Sequence, residues 1–300
     1  MRTKRLFFVS FVLFPAICMG ASFDAYPQRE ILRPLVLPRG YLEFSTGFSW
    51  NKTSRAFNGE GDLENIGGDI SQWIWDTRIG LGLFEGVELQ FGVPYIFREW
   101  SLNGNPAVEG FGDMDATLLI HLYYQTAQRP TSVALGLRGI FPTGEAEIGD
   151  EFEFSLKPPA RGTYAVGIFM WIREAYKPWL GVLYTFEWDF YFKGKQKIGG
   201  TTVDTNYGDT MRVSMEPIIQ ISDYLALWLT NSYTAEYKSE FEYNEMLIAE
   251  YKDSWFYQFK PALQFQLGKH FDIYIGSEWR YMGRYTLAGY PIWGKLEVRF

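Results

Sequence analysis

The sequence predicts an all-β fold: a transmembrane, antiparallel up-and-down β-barrel of the outer-membrane type, with about twelve strands. Three observations lead there. Apolar and polar residues alternate, run after run, from residue 40 to the end, as in strands with one apolar and one wet face. Aromatic residues make up 19% of the chain while its apolar content is only 47%, as in a wall where every second residue meets lipid. After the N-terminal stretch no apolar run is long enough to span a bilayer as a helix, which takes roughly twenty residues.

The chain opens with the basic head Met1-Arg2-Thr3-Lys4-Arg5, an apolar run from Leu6 to Met19, and the small residues Gly20-Ala21-Ser22. This is the layout of a secretory signal peptide over 1–21, cleaved after Ala21 or one residue earlier. An N-terminal anchor helix is the alternative, and the apolar run is short for one. Lipidation at Cys18 would require a small residue before it, where Ile17 stands. Cys18 is the only cysteine, so the exported chain would use neither disulfides nor thiolate metal sites. Loss of Arg2, Lys4 and Arg5 would take the formal net charge from −7 to −10, which argues against a nucleic-acid partner. Residues 22–38, with Pro27, Pro34 and Pro38, read as a non-helical periplasmic segment that tucks into the mouth of a barrel formed by 39–300.

The runs follow in order. The first sets Leu42, Phe44, Phe48 and Trp50 against Glu43, Ser45, Gly47 and Ser49, and the second sets Trp73, Trp75, Ile79 and Leu81 against Asp76, Arg78, Gly80 and Gly82. The third opposes Leu89, Phe91, Val93, Tyr95 and Phe97 to Glu88, Gln90, Gly92 and Arg98, and the fourth opposes Leu118, Ile120 and Leu122 to Asp113, Asp115, Thr117 and His121. The fifth has Val133, Leu135, Leu137 and Phe141 opposite Ser132, Gly136 and Arg138, and the sixth carries Tyr164, Val166, Ile168, Met170 and Ile172. The seventh alternates from Leu180 to Phe192 around Thr185, Glu187 and Asp189, and the eighth from Met211 to Ile221 around Arg212, Ser214, Glu216 and Gln220. The ninth runs from Leu225 to Tyr237, the tenth from Trp255 to Leu267, the eleventh from Phe271 to Tyr281 and the last from Tyr290 to Phe300.

Long connections are expected at 51–70, 99–111, 142–161, 194–208 and 238–252, with a shorter one at 282–289. Brief ones are expected near 84–86, 125–130, 173–177, 222–223 and 268–270. Short turns on one side, long loops on the other and an even strand count put both termini on the periplasmic side. Two aromatic girdles are expected at headgroup level. Trp73, Trp75, Trp188, Phe190, Trp255, Trp279 and Tyr281 form the one near the loops; Tyr41, Tyr124, Trp179, Tyr224 and Phe271 form the one near the turns. A soluble β-sandwich also alternates, but its core could not bury the charges of the second face. In hydrocarbon the sheet must also close, because an open edge leaves backbone groups unpaired. Pro94, Pro217 and Pro261 fall inside runs, each removes a ladder donor, and they are expected to mark bulges.

The final residues Gly294-Lys295-Leu296-Glu297-Val298-Arg299-Phe300 resemble the terminal-strand signal of outer-membrane barrels, which the barrel-assembly machinery reads during biogenesis. Residues 31–144 resemble the outer-membrane transporter family named for the meta-pathway of phenol degradation. The resemblance lies in Arg33-Pro34-Leu35-Val36-Leu37-Pro38-Arg39-Gly40, Gly92-Val93-Pro94-Tyr95, Gly110-Phe111-Gly112-Asp113 and Phe141-Pro142-Thr143-Gly144. It implies a transporter, with an involvement with aromatic hydrocarbons.

The second face is the expected lumen. Arg78, Glu88, Arg98, Asp113, Asp115, His121 and Arg138 are the candidate selectivity residues, with Asp113 and Asp115 expected to pair with Arg78, Arg98 or Arg138. Nearly balanced signs suit a hydrated passage of weak ion preference or a salt-bridged plug. A barrel of this size lies between side-chain-filled barrels of about eight strands and open porins of about sixteen, so the passage should be narrow. No catalytic, cofactor or metal residue is assigned. His121 reads as a wall histidine: hydrolysis would need a nucleophile within hydrogen-bond reach. Outer-membrane phospholipases carry a closely spaced His and Ser, and Tyr123 stands where that Ser would be. The acidic run 145–153 reads as a solvated loop. The expected function is passive diffusion of small solutes, hydrophobic or aromatic by the resemblance, across a Gram-negative outer membrane. The expected partners are the bilayer, lipopolysaccharide, the barrel-assembly machinery and the solute. A barrel hydrolase, and a structural barrel that binds through its long loops, are the competing readings.

Overall fold

Strands form where the alternation predicts them. The computed structural model describes residues 27–101, 108–125, 130–144, 147–148, 160–198, 201–243 and 246–300. The signal-peptide stretch 1–21 lies outside the described residues, as does the run 145–153 apart from 147–148. The wall consists of β1 (Leu42–Phe57), β2 (Leu63–Phe84), β3 (Val87–Trp100), β4 (Val108–Phe111, resuming as Met114–Tyr123), β5 (Thr131–Phe141), β6 (Ala165–Lys177), β7 (Leu180–Tyr191), β8 (Thr210–Ser222), β9 (Leu225–Glu236), β10 (Ser254–Leu267), β11 (Phe271–Ser277, resuming as Trp279–Arg284) and β12 (Ile292–Arg299). Each pairs antiparallel with the next. β12 returns to β1 in the register Glu43↔Arg299 through Trp50↔Ile292, so twelve strands close an antiparallel barrel without an edge.

Burial is inverted relative to a protein with an apolar core. Phe91, Leu137, Ile168, Met215, Phe265 and Ile275 are exposed on the outside, whereas Glu88, Asp115, Asp189, Asp272, Glu297 and Arg299 are buried within. An apolar wall costs nothing against lipid, while the charges keep partners and water inside. At the loop end Phe48, Trp50, Trp73 and Trp75 pack ring to ring, as do Tyr233, Trp255, Tyr257 and Tyr281. At the turn end Tyr124, Trp179, Tyr224 and Phe271 are exposed, but Tyr41 is not. Tyr41 packs on Leu37, because the chain entering β1 comes from inside the barrel.

Several expected loops are strand. β1 and β2 stay paired through 51–57 and 63–70, with one irregularity between Thr53 and Arg55, leaving 58–62 as the turn. The stretches 194–208 and 238–252 are hairpins, Gly194–Ile198 with Thr201–Asn206 and Ser239–Tyr243 with Met246–Tyr251. With Glu147–Ile148 they form a separate five-stranded sheet around Val203, Tyr207 and Phe241. Val203, Thr205 and Tyr207 are buried and alternate with exposed neighbours, but the polar residue among them blurs the apolar pattern that marks the wall strands. The turn expected at 173–177 shrinks to Pro178 and Trp179, and Arg173 stays in β6.

The three prolines sit in no bulge of their own strands. Pro94 pairs with Asp76, and on its other side β4 is interrupted at 112–113, where Gly112 N–H donates to the Pro94 carbonyl at 2.8 Å. Pro217 pairs with Val182; toward β9 the ladder skips from Met215↔Asn231 to Ile218↔Trp228 without losing register. Pro261 pairs with Leu229, and β11 breaks at Glu278 on its other side. Beside Pro94 and Pro261 the neighbouring strand is interrupted, whereas beside Pro217 only the ladder skips and β9 stays continuous.

Candidate functional site

The segment before β1 fills the turn end of the lumen. Glu30–Leu32 make a single 3-10 turn, and the chain continues extended along the inner wall. Ile31 packs on Ile218 and Ala226, and Val36 packs on Leu119, Ala134 and Phe169. Under Ile31 and Val36 the wall is small or apolar. At Gly82 a β-carbon would overlap the Pro38 carbonyl, so only glycine lets the plug backbone lie that close.

Polar contacts hold the plug in place. Arg33, 1% exposed, pairs with Glu30 at 2.9 Å and with Asp272. Arg299 also pairs with Asp272, and reaches Glu43 at 2.7 Å and Glu297 at 2.5 Å. The Glu88 carboxylate accepts the Leu37 N–H at 2.7 Å. Arg173 donates to the carbonyls of Glu30, at 3.1 Å, and Arg33. Gln264 donates to Glu30 at 3.0 Å and Gln266 to the Gln28 carbonyl at 2.9 Å. Arg29 pairs at 2.6 Å with Asp223 in the β8–β9 turn, which fixes the plug at the turn end. Burial would raise the Glu30 carboxyl, but Arg33, Arg299, Gln264 and Arg173 outweigh it and hold the group below the usual range. A buried carboxylate survives only when paired in this way.

Beyond the plug lies a cavity of about 580 Å³. Charges alternate along its wall from β2 to β8. Arg78 meets Asp76 at 3.2 Å and clasps both oxygens of Asp115 at 3.0 and 3.1 Å. Arg138 meets Asp189 at 2.8 Å and Glu187 at 3.7 Å, and Glu187 also reaches Arg212 at 3.7 Å. Glycines make room for two of these pairs: a β-carbon at Gly92 would collide with Asp115, and one at Gly167 with Asp189. At the loop end Arg161 lies over the rings of Tyr191 and Tyr207, at 4.2 and 5.5 Å, and reaches Glu236 at 3.6 Å.

Of the residues singled out in the sequence, Arg78, Glu88, Asp115, His121 and Arg138 lie on the inner face, and Arg98 lies toward the loops, donating to Gln72 at 3.1 Å. Asp113 departs from the expected pairing. It sits in the break of β4 and accepts the backbone N–H groups of Arg161 at 2.8 Å, Gly162 at 3.3 Å and Gly144 at 3.4 Å, so it anchors a loop instead of an arginine. The serine missing next to His121 in sequence arrives from β5: Ser132 Oγ lies 2.7 Å from His121 Nε2. Ser132 Oγ also lies 3.2 Å from the Tyr123 carbonyl, and which of His121 and Ser132 donates to the other follows from the imidazole tautomer. His121 Nδ1 has no partner among the described residues. Sequence reasoning passed over Arg33 and Arg173, the first because it precedes the strands and the second because it was assigned to a turn.

No protein-family model matches the sequence, and no curated protein matches it either. Among solved structures the fold is similar to an outer membrane channel from Pseudomonas putida F1, with TM-score 0.74 and 11% identity over 88% of this chain and 97% of that one. It is similar at TM-score 0.49 to the transport unit of the autotransporter AIDA-I from Escherichia coli, with 8% identity over 87% of this chain and 90% of that one. At the identity of the Pseudomonas channel the likeness concerns the fold, and it makes this chain a barrel of the outer-membrane type.

Proposed function

We propose that this chain is an outer-membrane channel that passes small solutes by diffusion. One observation carries the reading: inside the closed wall a charge-lined cavity of about 580 Å³ is shut at the turn end by a plug held by hydrogen bonds and ion pairs, with no covalent bond. Such a plug can yield without unfolding the barrel. The resemblance of residues 31–144 supports hydrophobic or aromatic solutes, and so do Trp171, Trp228 and Trp293 in the cavity wall. In this reading residues 1–21 direct export, the termini are periplasmic, lipopolysaccharide faces the loop-end girdle and the terminal strand engages the barrel-assembly machinery. The test is single-channel recording in planar bilayers together with solute uptake by liposomes, using the protein with and without residues 27–38. Discrete openings that grow on removal of the plug are expected. Silence from both proteins in both assays would overturn the reading.

A further inference from the structure

Two cations stand at the loop end of the wall, around one ring. β10 and β11 pair in the register Tyr257↔Met282 and Trp255↔Arg284, and residues directly opposite in an antiparallel pair share a face of the sheet. Trp255 and Tyr257 belong to the outer aromatic girdle, where they pack with Tyr233. Arg284 therefore points outward too, at the level of the girdle, and it is exposed. Its guanidinium carbon lies 5.3 Å from the centroid of the Tyr285 ring. Lys252, exposed in the turn before β10, places its ammonium 5.2 Å from the same centroid and donates to the Tyr285 hydroxyl at 3.4 Å. Neither cation has an ion-pair partner among the described residues. The adjacent carboxylate, Asp253, accepts the backbone N–H of Lys238 at 2.6 Å.

The ring they share is held in an unusual backbone conformation. Tyr285 has φ +49°, and among the described residues it is the only non-glycine residue with a positive φ, which a β-carbon disfavours. Its N–H donates to the Asn58 carbonyl at 3.4 Å, and a β-carbon at Gly59 would overlap its hydroxyl, so the β1–β2 turn seats the ring. Backbone held in this way gathers at binding sites. At the girdle the lipid-facing surface passes from hydrocarbon to headgroups. An arginine is tolerated there because its head can reach polar groups. Headgroup phosphates are bound by guanidinium and ammonium through charge-assisted hydrogen bonds, and a headgroup with more than one phosphate meets both cations without having to bridge them.

We propose that Arg284, Lys252 and Tyr285 form a docking site on the outside of the barrel for the phosphorylated headgroup of lipopolysaccharide, the two cations taking phosphate and the tyrosine ring positioning them. The proposal rests on the reading that the loop end faces the outside of the cell, and it names the part of the wall to which that lipid binds.

The test is a thermophoresis titration of the refolded full barrel in detergent, which needs no conduction and so is decided separately from the channel reading. The probes are lipopolysaccharide, the same lipid with its phosphates removed, and inorganic phosphate. Intact lipopolysaccharide should bind, and the dephosphorylated lipid should bind about tenfold more weakly or worse. Arg284→Gln and Lys252→Gln should each weaken the intact lipid by about fivefold, the worth of one basic residue at an anionic membrane surface. Lys195→Gln, on the Gly194–Ile198 hairpin strand, should leave it unchanged. Heat-modifiable migration on gels reports that each variant is folded. Equal binding of the intact and dephosphorylated lipids overturns the proposal, and so does unchanged affinity in a folded Arg284→Gln barrel. An equal loss in Lys195→Gln would reduce the effect to overall charge and overturn the site. If inorganic phosphate binds as tightly as the lipid, the site is one for the free ion and the lipid assignment is wrong.

Discussion

The Glu88 carboxylate on β3 accepts the backbone N–H of Leu37 at 2.7 Å, and this contact ties the plug to the wall across 51 residues of chain. A charge-assisted bond to a buried backbone donor is worth about 1.5–3 kcal/mol. Glu88→Ala should therefore shift the plug toward its undocked state by about tenfold or more. Single-channel recording should show longer or more frequent openings than in the parent, and identical gating would mean that the plug is held elsewhere.

Gly82→Val tests the same plug sterically. The new side chain would occupy the space of the Pro38 carbonyl, while the β2 ladder around it needs no glycine. The barrel should stay heat-modifiable on gels, and protease should clip the N-terminal segment faster. Unchanged proteolysis would show that the segment does not lie against β2 in solution.

Arg138→Gln leaves Asp189 and Glu187 without their shared cation. The pair is partly solvated, so the loss of stability should be about 1–3 kcal/mol, below the cost of breaking a fully buried pair. The lumen gains net negative charge there. Reversal potentials in a salt gradient should move toward cation preference, and movement toward anions would contradict the placement of these carboxylates in the passage.

Acid should loosen the plug through Glu30. Its carboxyl is held below the ordinary value of 4.5 in the docked state. A depressed pKa contributes stability in full above the undocked value, and that contribution is lost as pH falls through the docked one. Open probability should stay flat from neutral pH down to about 4.5 and rise below it. Glu30→Gln should remove this step, and an acid-induced rise that persists undiminished in that variant would assign the titration to another group.

The wall was readable in the sequence because period two is enforced twice, by lipid outside and by water and charge inside. Phe91 and Glu88 had to fall on opposite faces of one strand. The extramural hairpins were not readable: one face is buried at Val203, Thr205 and Tyr207, but its mixture of polar and apolar residues leaves no apolar alternation in the sequence. Among the candidate residues, Asp115 met an expected partner in Arg78. Asp113, two residues earlier, did not, because the break in β4 turns it to backbone donors of a distant loop. The His121–Ser132 contact depends on a cross-strand register that spacing along the chain does not reveal. The prolines misled for a related reason: a missing donor at Pro94 or Pro261 is accommodated by the neighbour's interruption, which the proline's own sequence context cannot show.

Arg33 and Arg299 meet on one carboxylate, Asp272, although they stand at opposite ends of the described chain. The plug therefore lacks its principal anchor until the last strand is laid against the first. Without the hairpin of β11 and β12 the N-terminal segment has neither Asp272 nor Arg299 to hold it. Docking of the plug thus depends on the strands that close the barrel. A barrel that failed to complete its circumference would be left gaping at the turn end.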